Sequence, residues 1–248
     1  GTTDCPYPVC FIDGNLHLPA PHVIWAADGG HGSDALLTFE VSITDSLFTM
    51  FLISVIIAYM SAQQLRNFGA EIYVVDLVTV GVLRELGVLL TAIIVAGRSG
   101  SAFAAEIGAM KLNEEVDALT ATGVEPIEVL VLPRVLGLMI ALPLLTIVAD
   151  GVGLAGGALL CKWLLDIPII QYLARVQDAI SSTTFWAGLV KAPVFALLIA
   201  TAGTYRGLQV RGSSRELGRL TTVAVVQAIF LVILADALFA VLFMEIDF

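Results

Sequence analysis

Charged residues are scarce in this chain. Only 14% of its 248 residues are Asp, Glu, Lys or Arg, whereas 58% are hydrophobic and the mean hydropathy is +0.94. An ordinary soluble domain carries about 25% charged residues. A soluble fold of this length would lack the polar side chains to cover its surface, and a disordered chain would not be so apolar. The composition excludes both classes and predicts an integral membrane protein.

Basic residues are the scarcer of the two signs. The chain has 12 Lys and Arg against 22 Asp and Glu, which gives a formal net charge of −10. Nucleic acid is therefore excluded as a partner, because binding its phosphates needs clustered basic side chains. The phosphate-binding pattern G-x-x-x-x-G-K-[ST] is also missing. We expect the chain itself to bind no cofactor, and any ATPase that drives it must be a separate polypeptide.

Cysteine and histidine are few, and most of them lie in the first 45 residues. The spacing of these five side chains matches no standard zinc pattern, so we predict no metal site. The residues concerned are Cys5, Cys10, His17, His22 and His31. The same 45 residues hold no Lys or Arg and do not resemble a signal peptide. We expect residues 1–45 to form a leader distinct from a membrane domain of residues 46–248.

Five apolar stretches are candidates for crossing a bilayer, which takes about 20 residues as a helix. They cover residues 47–60, 72–96, about 134–160, 185–202 and 222–243. The chain is therefore expected to be all-α, with about five transmembrane helices. Seven Lys and Arg lie in one set of connecting loops and three in the opposite set. Because basic loops face the cytoplasm, residues 98–128 and 204–219 are expected there.

A glycine-rich run inside the third stretch imitates a nucleotide-binding motif. Residues 151–156 read GVGLAG, which fits the dinucleotide pattern G-x-G-x-x-G. That pattern binds a cofactor only between a strand and a helix, whereas this run lies within an apolar span. Gly153 and Gly157 have the G-x-x-x-G spacing that lets two membrane helices approach closely. We predict that they pack helices.

Several charged residues lie inside the predicted spans, including Arg84, Glu85 and Lys191. Arg84 and Glu85 are central in the second span and Lys191 lies in the fourth, where each charge costs about 2.5 to 3.5 kcal/mol. Neighbours on a helix point about 100° apart, so Arg84 and Glu85 are expected on different faces. One of them could meet Lys191. The group either fixes helix register as an ion pair or lines a substrate path.

The segment between the second and third spans is amphipathic and acidic. It alternates small and apolar residues with charges and contains Pro126 and Pro133. We expect one or two short helices on the cytoplasmic face that dock on a partner protein. The alternative is a helix lying flat among headgroups, which anionic lipids would repel because of its acids.

Several runs resemble a known family. Residues 83–87 (LRELG), 96–108 (AGRSGSAFAAEIG) and 113–134 (NEEVDALTATGVEPIEVLVLPR) are similar to the MlaE-type permeases, as is LPLLTIVADGVGLAGG further on. These permeases are the membrane subunits of ABC transporters that work with MCE proteins. The resemblance covers roughly residues 61–248 and is nearest to the subgroup that carries a fused STAS domain. We expect no complete STAS domain within residues 1–45.

The resemblance implies an architecture, partners and cargo. Five transmembrane helices, with an interfacial N-terminal helix and a cytoplasmic coupling helix, would act as a homodimer in the bacterial inner membrane. Two ATPase subunits would bind ATP and Mg, and MCE-domain proteins would form a periplasmic ring. A STAS-domain protein is a further candidate partner. The cargo would be phospholipid or another hydrophobic lipid.

The resemblance also implies residue roles. The lipid path would use Arg84, Glu85 and Lys191, with two apolar residues, Leu65 and Phe68, at the outer end. The coupling helix would fall on residues 111–125, and the residues implied to contact the ATPase are Lys111, Glu114, Glu115, Asp117 and Glu125.

Two other functions remain open from the residues alone. The chain could be a proton- or ion-coupled secondary transporter that uses Asp150 and Asp236 with the Arg84–Glu85 pair. Both aspartates could equally be packing or cavity residues, and secondary transporters usually show internal repeats, of which the sequence has no convincing example. A scaffold that only anchors other subunits is the third possibility, but it would not need charges at mid-membrane.

Overall fold

The chain is a bundle of long helices. The computed structural model describes residues 10–12, 15–17, 33–66, 73–123, 125–180 and 182–245. Two three-residue strands, β1 (Cys10–Ile12) and β2 (Asn15–His17), pair antiparallel near the start. The described α-helices are α1 (Ser33–Arg66), α2 (Tyr73–Gly81), α3 (Gly87–Val95), α4 (Ser101–Leu112), α5 (Glu115–Ala121), α6 (Leu132–Leu164), α7 (Ile169–Ala179), α8 (Ser182–Leu208) and α9 (Ser214–Glu245). Three π-helical segments join them: π1 (Val82–Leu86), π2 (Ala96–Gly100) and π3 (Ile127–Val131).

Five helical rods are long and apolar enough to cross a bilayer, which confirms the predicted class. They are Leu47–Arg66, Tyr73–Leu112, Ile127–Leu164, Trp186–Leu208 and Ser214–Glu245. The second rod runs from α2 to α4 without a break and has 40 residues, or about 60 Å of helix. A bilayer core is only about 30 Å thick. The rods are longer than the predicted stretches because a helix continues into water after its apolar run has ended.

Two predicted boundaries differ from the structure, and one helix was not predicted. α1 begins at Ser33, within the segment that the sequence set apart as a leader. The predicted loop after residue 97 is helical as far as Leu112, so α4 is a continuation of the second span. α7 was not predicted, because it is too short and too polar on one side to register as a span.

The bundle has two apolar cores that meet along α6. One is built from α1, α2, α6 and α7, and its fully buried members include Met50, Val78 and Ala149. The other is built mainly from α3, α6, α8 and α9, and includes Leu142, Phe195 and Val232. α6 supplies residues to both cores, which is why it is the central helix of the bundle.

Glycines set the closest approaches between helices. Gly156 faces the backbone of Phe51 in α1, and a Cβ built there would lie 2.9 Å from the Phe51 carbonyl oxygen. Gly153 and Gly157 lie on the same side of α6, where added Cβ atoms would come within 3.0 Å of Val82 and Val78 respectively. Ser54 of α1 donates a hydrogen bond to the Gly153 carbonyl oxygen. Cβ-bearing residues would force α6 away from α1 and from the second rod.

Gly188 provides the equivalent close contact for α8. A Cβ at this position would overlap the carbonyl oxygen of Leu83 in π1. We expect Gly188→Ala to lower the free energy of unfolding by about 1 to 3 kcal/mol, because backbone cannot move aside as a side chain can. Thermal unfolding of the purified protein in lipid nanodiscs measures the effect.

Gly137 of α6 supplies the matched control, since a Cβ there meets open space. Gly137→Ala should leave the unfolding temperature unchanged or raise it. Equal unfolding temperatures for the two variants would contradict the assigned contact.

Candidate functional site

A buried lysine holds together the charged residues of the bundle. Lys191 of α8 is fully buried, and its Nζ lies 2.7 Å from Oε2 of Glu85 and 3.0 Å from Oδ1 of Asp236. Glu85 belongs to π1 and Asp236 to α9. We call these three residues the charge triad. It joins three separate segments of the chain through one ammonium group.

Each residue of the triad lies about one-third of the way from one end of its helix or helical rod, which is near mid-depth for a bilayer core of about 30 Å. Lys191 is nine residues from the start of α8 and Asp236 nine residues from the end of α9, about 14 Å of helix in each case. Glu85 is twelve residues from Tyr73 at the start of α2, or about 18 Å. The approach of α8 to π1 at Gly188, one turn before Lys191, brings the ammonium within reach of Glu85.

The surroundings of Lys191 compensate for its burial. Two carboxylates accept hydrogen bonds from the ammonium, and the Phe243 ring centroid lies 5.7 Å from Nζ. A buried ammonium without partners would carry a desolvation cost of several kcal/mol, and an aromatic face adds a further favourable interaction. The triad is therefore a stabilised arrangement only while all three segments keep their register.

Arg84 extends the charged group toward the surface of the chain. Its Nε lies 3.8 Å from Oε1 of Glu85, so the expectation that these neighbours occupy separate faces is wrong for their side-chain ends. Two long side chains on adjacent residues can reach each other even when their Cα–Cβ bonds diverge. The side chains of Arg84 and Glu85 are 33% and 36% exposed, whereas that of Lys191 is 0% exposed. The charged group is therefore sealed from solvent at Lys191 and accessible at Arg84.

The two intramembrane aspartates have different environments. Asp236 belongs to the triad, which spacing alone could not show because its partner lies 45 residues away. Asp150 of α6 is buried against Gly87, and its Oδ1 has no hydrogen-bond partner in the part of the chain that the structure describes. Asp236 therefore has an ammonium partner in α8, whereas Asp150 lies against Gly87, two residues along the chain from Glu85.

Two apolar residues were predicted for the lipid path. One lies apart from the triad, and the other lies outside the described residues. Leu65 is half-buried at the end of α1 and packs against the core of α1, α2, α6 and α7. Lys191 and Asp236 belong to α8 and α9, so the structure does not bring Leu65 next to them. Phe68 lies outside the described residues.

The predicted coupling segment folds as a short helix after a sharp turn. α4 ends at Leu112, Glu114 adopts a left-handed backbone conformation, and α5 covers Glu115–Ala121. Lys111 forms an ion pair with Asp117 across this turn. Glu125 follows α5, so the helical part is shorter than the predicted residues 111–125.

The face around α5 combines exposed acids with an apolar groove. The acids Glu114, Glu115, Asp117, Glu125 and Glu128 are all exposed. The groove has a volume of about 340 Å³ and is lined by Met110, Glu115, Val116, Ala118, Leu119, Thr122 and Leu130. Arg134 at the start of α6 pairs with Glu106 of α4 at 3.1 Å. This pair ties the ends of the two rods together beside the groove.

The described residues contain no group of three or more His, Cys, Asp or Glu placed to hold a metal ion. Cys10 and His17 belong to β1 and β2. Cys5, His22 and His31 lie outside the described residues.

Sequence comparisons relate this architecture to transport proteins. Residues 37–242 match the family described as Permease MlaE. A probable ABC transporter permease protein of Rickettsia prowazekii is 34% identical over 198 residues, 80% of this chain and 76% of the relative. A probable ABC transporter permease protein of Synechocystis is 34% identical over 195 residues, 79% and 74% of the two chains. The chloroplast protein TRIGALACTOSYLDIACYLGLYCEROL 1 of Arabidopsis thaliana is 35% identical over 162 residues, 65% of this chain and 46% of the plant protein.

The triad predicts a specific pattern of stabilities. Lys191→Met leaves two carboxylates around an apolar side chain, so we expect a loss of about 3 to 5 kcal/mol. Adding Asp236→Asn removes one of these charges, so the double variant should be more stable than Lys191→Met alone. Thermal unfolding in nanodiscs compares the two.

Lys162, exposed near the end of α6, provides the control variant Lys162→Met, which should unfold like the natural protein. A double variant no more stable than Lys191→Met would show that Asp236 does not interact with the ammonium.

Proposed function

The chain belongs to the Permease MlaE family and is a multi-pass ABC transporter permease, and from this premise we propose that its cargo is phospholipid or a related hydrophobic lipid. A separate ATPase drives the movement, and an MCE-domain protein on the periplasmic side exchanges lipid with the permease. The complex acts in the bacterial inner membrane. The chain makes and breaks no covalent bond, because its role is to provide a path.

One observation carries this proposal: two charged side chains are partly exposed at mid-membrane depth. Arg84 and Glu85 are each about one-third exposed, and Glu85 lies about 18 Å of helix from the start of its rod at Tyr73, which is about half the thickness of a bilayer core. Charges at this depth face protein or a polar cavity, not hydrocarbon. The open face at Arg84 is therefore covered by a second copy of the chain, with a polar pocket between the two. We propose a homodimer on this basis.

The chemistry of the open face suits a lipid headgroup. A phospholipid presents a negative phosphate and often a positive amine, and Arg84 with Glu85 offers one group of each opposite sign. The exposed sides of the rods are rich in large apolar residues, which can line the path of the acyl chains. The plant relative is named after a glycolipid, which supports lipid as the cargo class.

The groove and the exposed acids around α5, away from the open face at Arg84, are suited to binding an ATPase. The chain has no phosphate-binding loop in its sequence, so ATP and Mg belong to the partner. Exposed acids would meet basic residues on that partner, since an anionic leaflet repels them. α5 is connected to Glu85 through the second rod, so its displacement would act on the polar pocket. A STAS-domain protein is a further candidate for this cytoplasmic face.

The secondary-transporter alternative names four residues, and the structure brings three of them together. Lys191 bridges Glu85 and Asp236, and Arg84 lies near Glu85, whereas Asp150 packs against Gly87. Both carboxylates on Lys191 are occupied by its ammonium, which favours a structural ion pair over a proton relay. The two functions differ in one measurable property, which is dependence on an ATPase subunit.

Mass spectrometry of the complex, extracted gently from its native membrane, tests the proposal. We expect an ATPase, an MCE-domain protein and retained phospholipid to accompany the chain. Recovery of the chain without an ATPase in several mild detergents would overturn the ABC assignment. Recovery with an ATPase but with a non-lipid cargo would overturn the lipid proposal alone.

Charge reversal around α5 tests the coupling role. We expect Glu114→Lys with Glu115→Lys to reduce lipid transport at least tenfold while ATP hydrolysis continues, because the partner loses its complementary surface. Transport by reconstituted vesicles and phosphate release measure the two activities.

The control double variant is Asp178→Lys with Glu245→Lys, which makes the same charge change at exposed sites on the outer end. It should retain coupling. Normal transport by the Glu114 and Glu115 variant, with an unchanged unfolding temperature, would refute the assignment of α5.

A further inference from the structure

α7 packs alongside the C-terminal part of α6 and does not extend beyond the end of that helix. The Tyr172 hydroxyl donates a hydrogen bond to the Leu154 carbonyl oxygen at 3.0 Å. Leu154 precedes the end of α6 at Leu164 by ten residues, about 15 Å of helix. A tyrosine side chain is much shorter than this rise, so α7 is folded back to a depth that α6 itself occupies.

A second contact fixes α7 against the start of α2. Nη2 of Arg175 lies 3.6 Å from Oδ2 of Asp76, and its guanidinium lies 5.6 Å from the Tyr73 ring centroid. Tyr172 and Val176 are buried in the core shared with α1, α2 and α6. α7 is therefore held on two sides and cannot swing freely into water.

The apolar face of α7 is wider than the surface that the protein covers. Ile169, Ile170 and Leu173 lie beside the buried positions of this helix, yet they are 47%, 84% and 55% exposed. The opposite face carries the exposed polar residues Gln171 and Asp178, whereas Gln177 lies at the edge of the apolar side, between Leu173 and Ile170. A helix with one half of its apolar face packed and the other half bare, and with polar residues opposite, is typical of the membrane interface.

The neighbouring end of α6 identifies what covers this bare half. Trp163 is 85% exposed and Leu159 is 49% exposed, and both belong to an apolar rod that crosses the bilayer. Tryptophan is enriched at the headgroup boundary of membrane proteins, and Lys162 beside it is exposed where its ammonium can reach phosphates. The bare side chains of α7 continue this lipid-facing surface at a similar depth.

We propose that α7 is an outer-leaflet anchor, which inserts Ile169, Ile170 and Leu173 among lipids below the headgroups. Gln171 and Asp178 face water. The occupant of this face is the bilayer surface, because the face is continuous with the lipid-exposed side of α6. Through the Asp76–Arg175 contact, the anchor also holds the outer end of the rod that carries Glu85. The inference does not depend on which cargo the protein carries.

Spin-label accessibility of the full chain in phospholipid nanodiscs tests the anchor. Cys5, Cys10 and Cys161 are replaced by alanine, and single cysteines are introduced by Ile170→Cys, Leu173→Cys or, as matched controls on the same helix, Gln171→Cys and Asp178→Cys. Power saturation compares collisions with oxygen, which enriches in lipid, and with a water-soluble nickel chelate. We expect labels at 170 and 173 to favour oxygen several-fold over labels at 171 and 178.

Each other outcome would overturn the anchor. Equal nickel access at 170 and 171 would place the whole helix in water, where its apolar face would await a protein. Protection of position 170 from both reagents would mean that a second copy of the chain covers it. A cysteine-independent measurement is the quenching of Trp163 by phospholipids brominated high on the acyl chain, in a Trp25→Phe, Trp186→Phe variant. An absence of quenching would also overturn the anchor.

Discussion

The enclosure of the Lys191 ammonium is the constraint on which the helix arrangement depends. A charge with no exposure to solvent is tolerated only if acceptors surround it, and here those acceptors come from π1 and α9. Rotating α8, or sliding it by one turn, would take the ammonium away from both carboxylates and leave it unpaired in an apolar interior. The register of three rods is therefore set by one polar interaction, while apolar packing supplies most of the contact surface.

The charged group of Arg84, Glu85, Lys191 and Asp236 is asymmetric in its exposure to solvent. Lys191 is sealed within the bundle, whereas Arg84 and Glu85 reach its surface at mid-membrane depth. A sealed charge can hold helices together, but only an accessible one can meet a headgroup or a second protomer. Glu85 joins the sealed and the accessible parts, since one carboxylate oxygen contacts the ammonium and the other lies near Arg84.

The second rod connects the two ends of the molecule mechanically. Near its first residue, Asp76 is held by Arg175 of α7; Glu85 lies about one-third of the way along it; and its last residues lead into α5 through the turn at Glu114. A long helix transmits a displacement along its axis better than a loop does. Two π-helical segments interrupt this rod, and each lies against a glycine of α8: Gly188 meets π1 and Gly203 meets π2. Gly207 adds a third such contact with the Ala104 carbonyl oxygen of α4, so small residues of α8 allow close backbone approach along the length of this rod.

The sequence by itself determined the membrane class, the five spans and the presence of charges at mid-membrane, because the length of an apolar run and the cost of a charge within it are local properties. It also indicated the glycine contacts of α6 and the acidic surface around α5. It could not assign Asp236 to Lys191, since residues 85, 191 and 236 share no spacing along the chain. It did not predict α7, because the side of this helix that carries Tyr172 is buried only when α6 lies beside it. Those features were decided by the tertiary structure, because ion pairs between helices and the depth of a folded-back helix depend on which rods become neighbours.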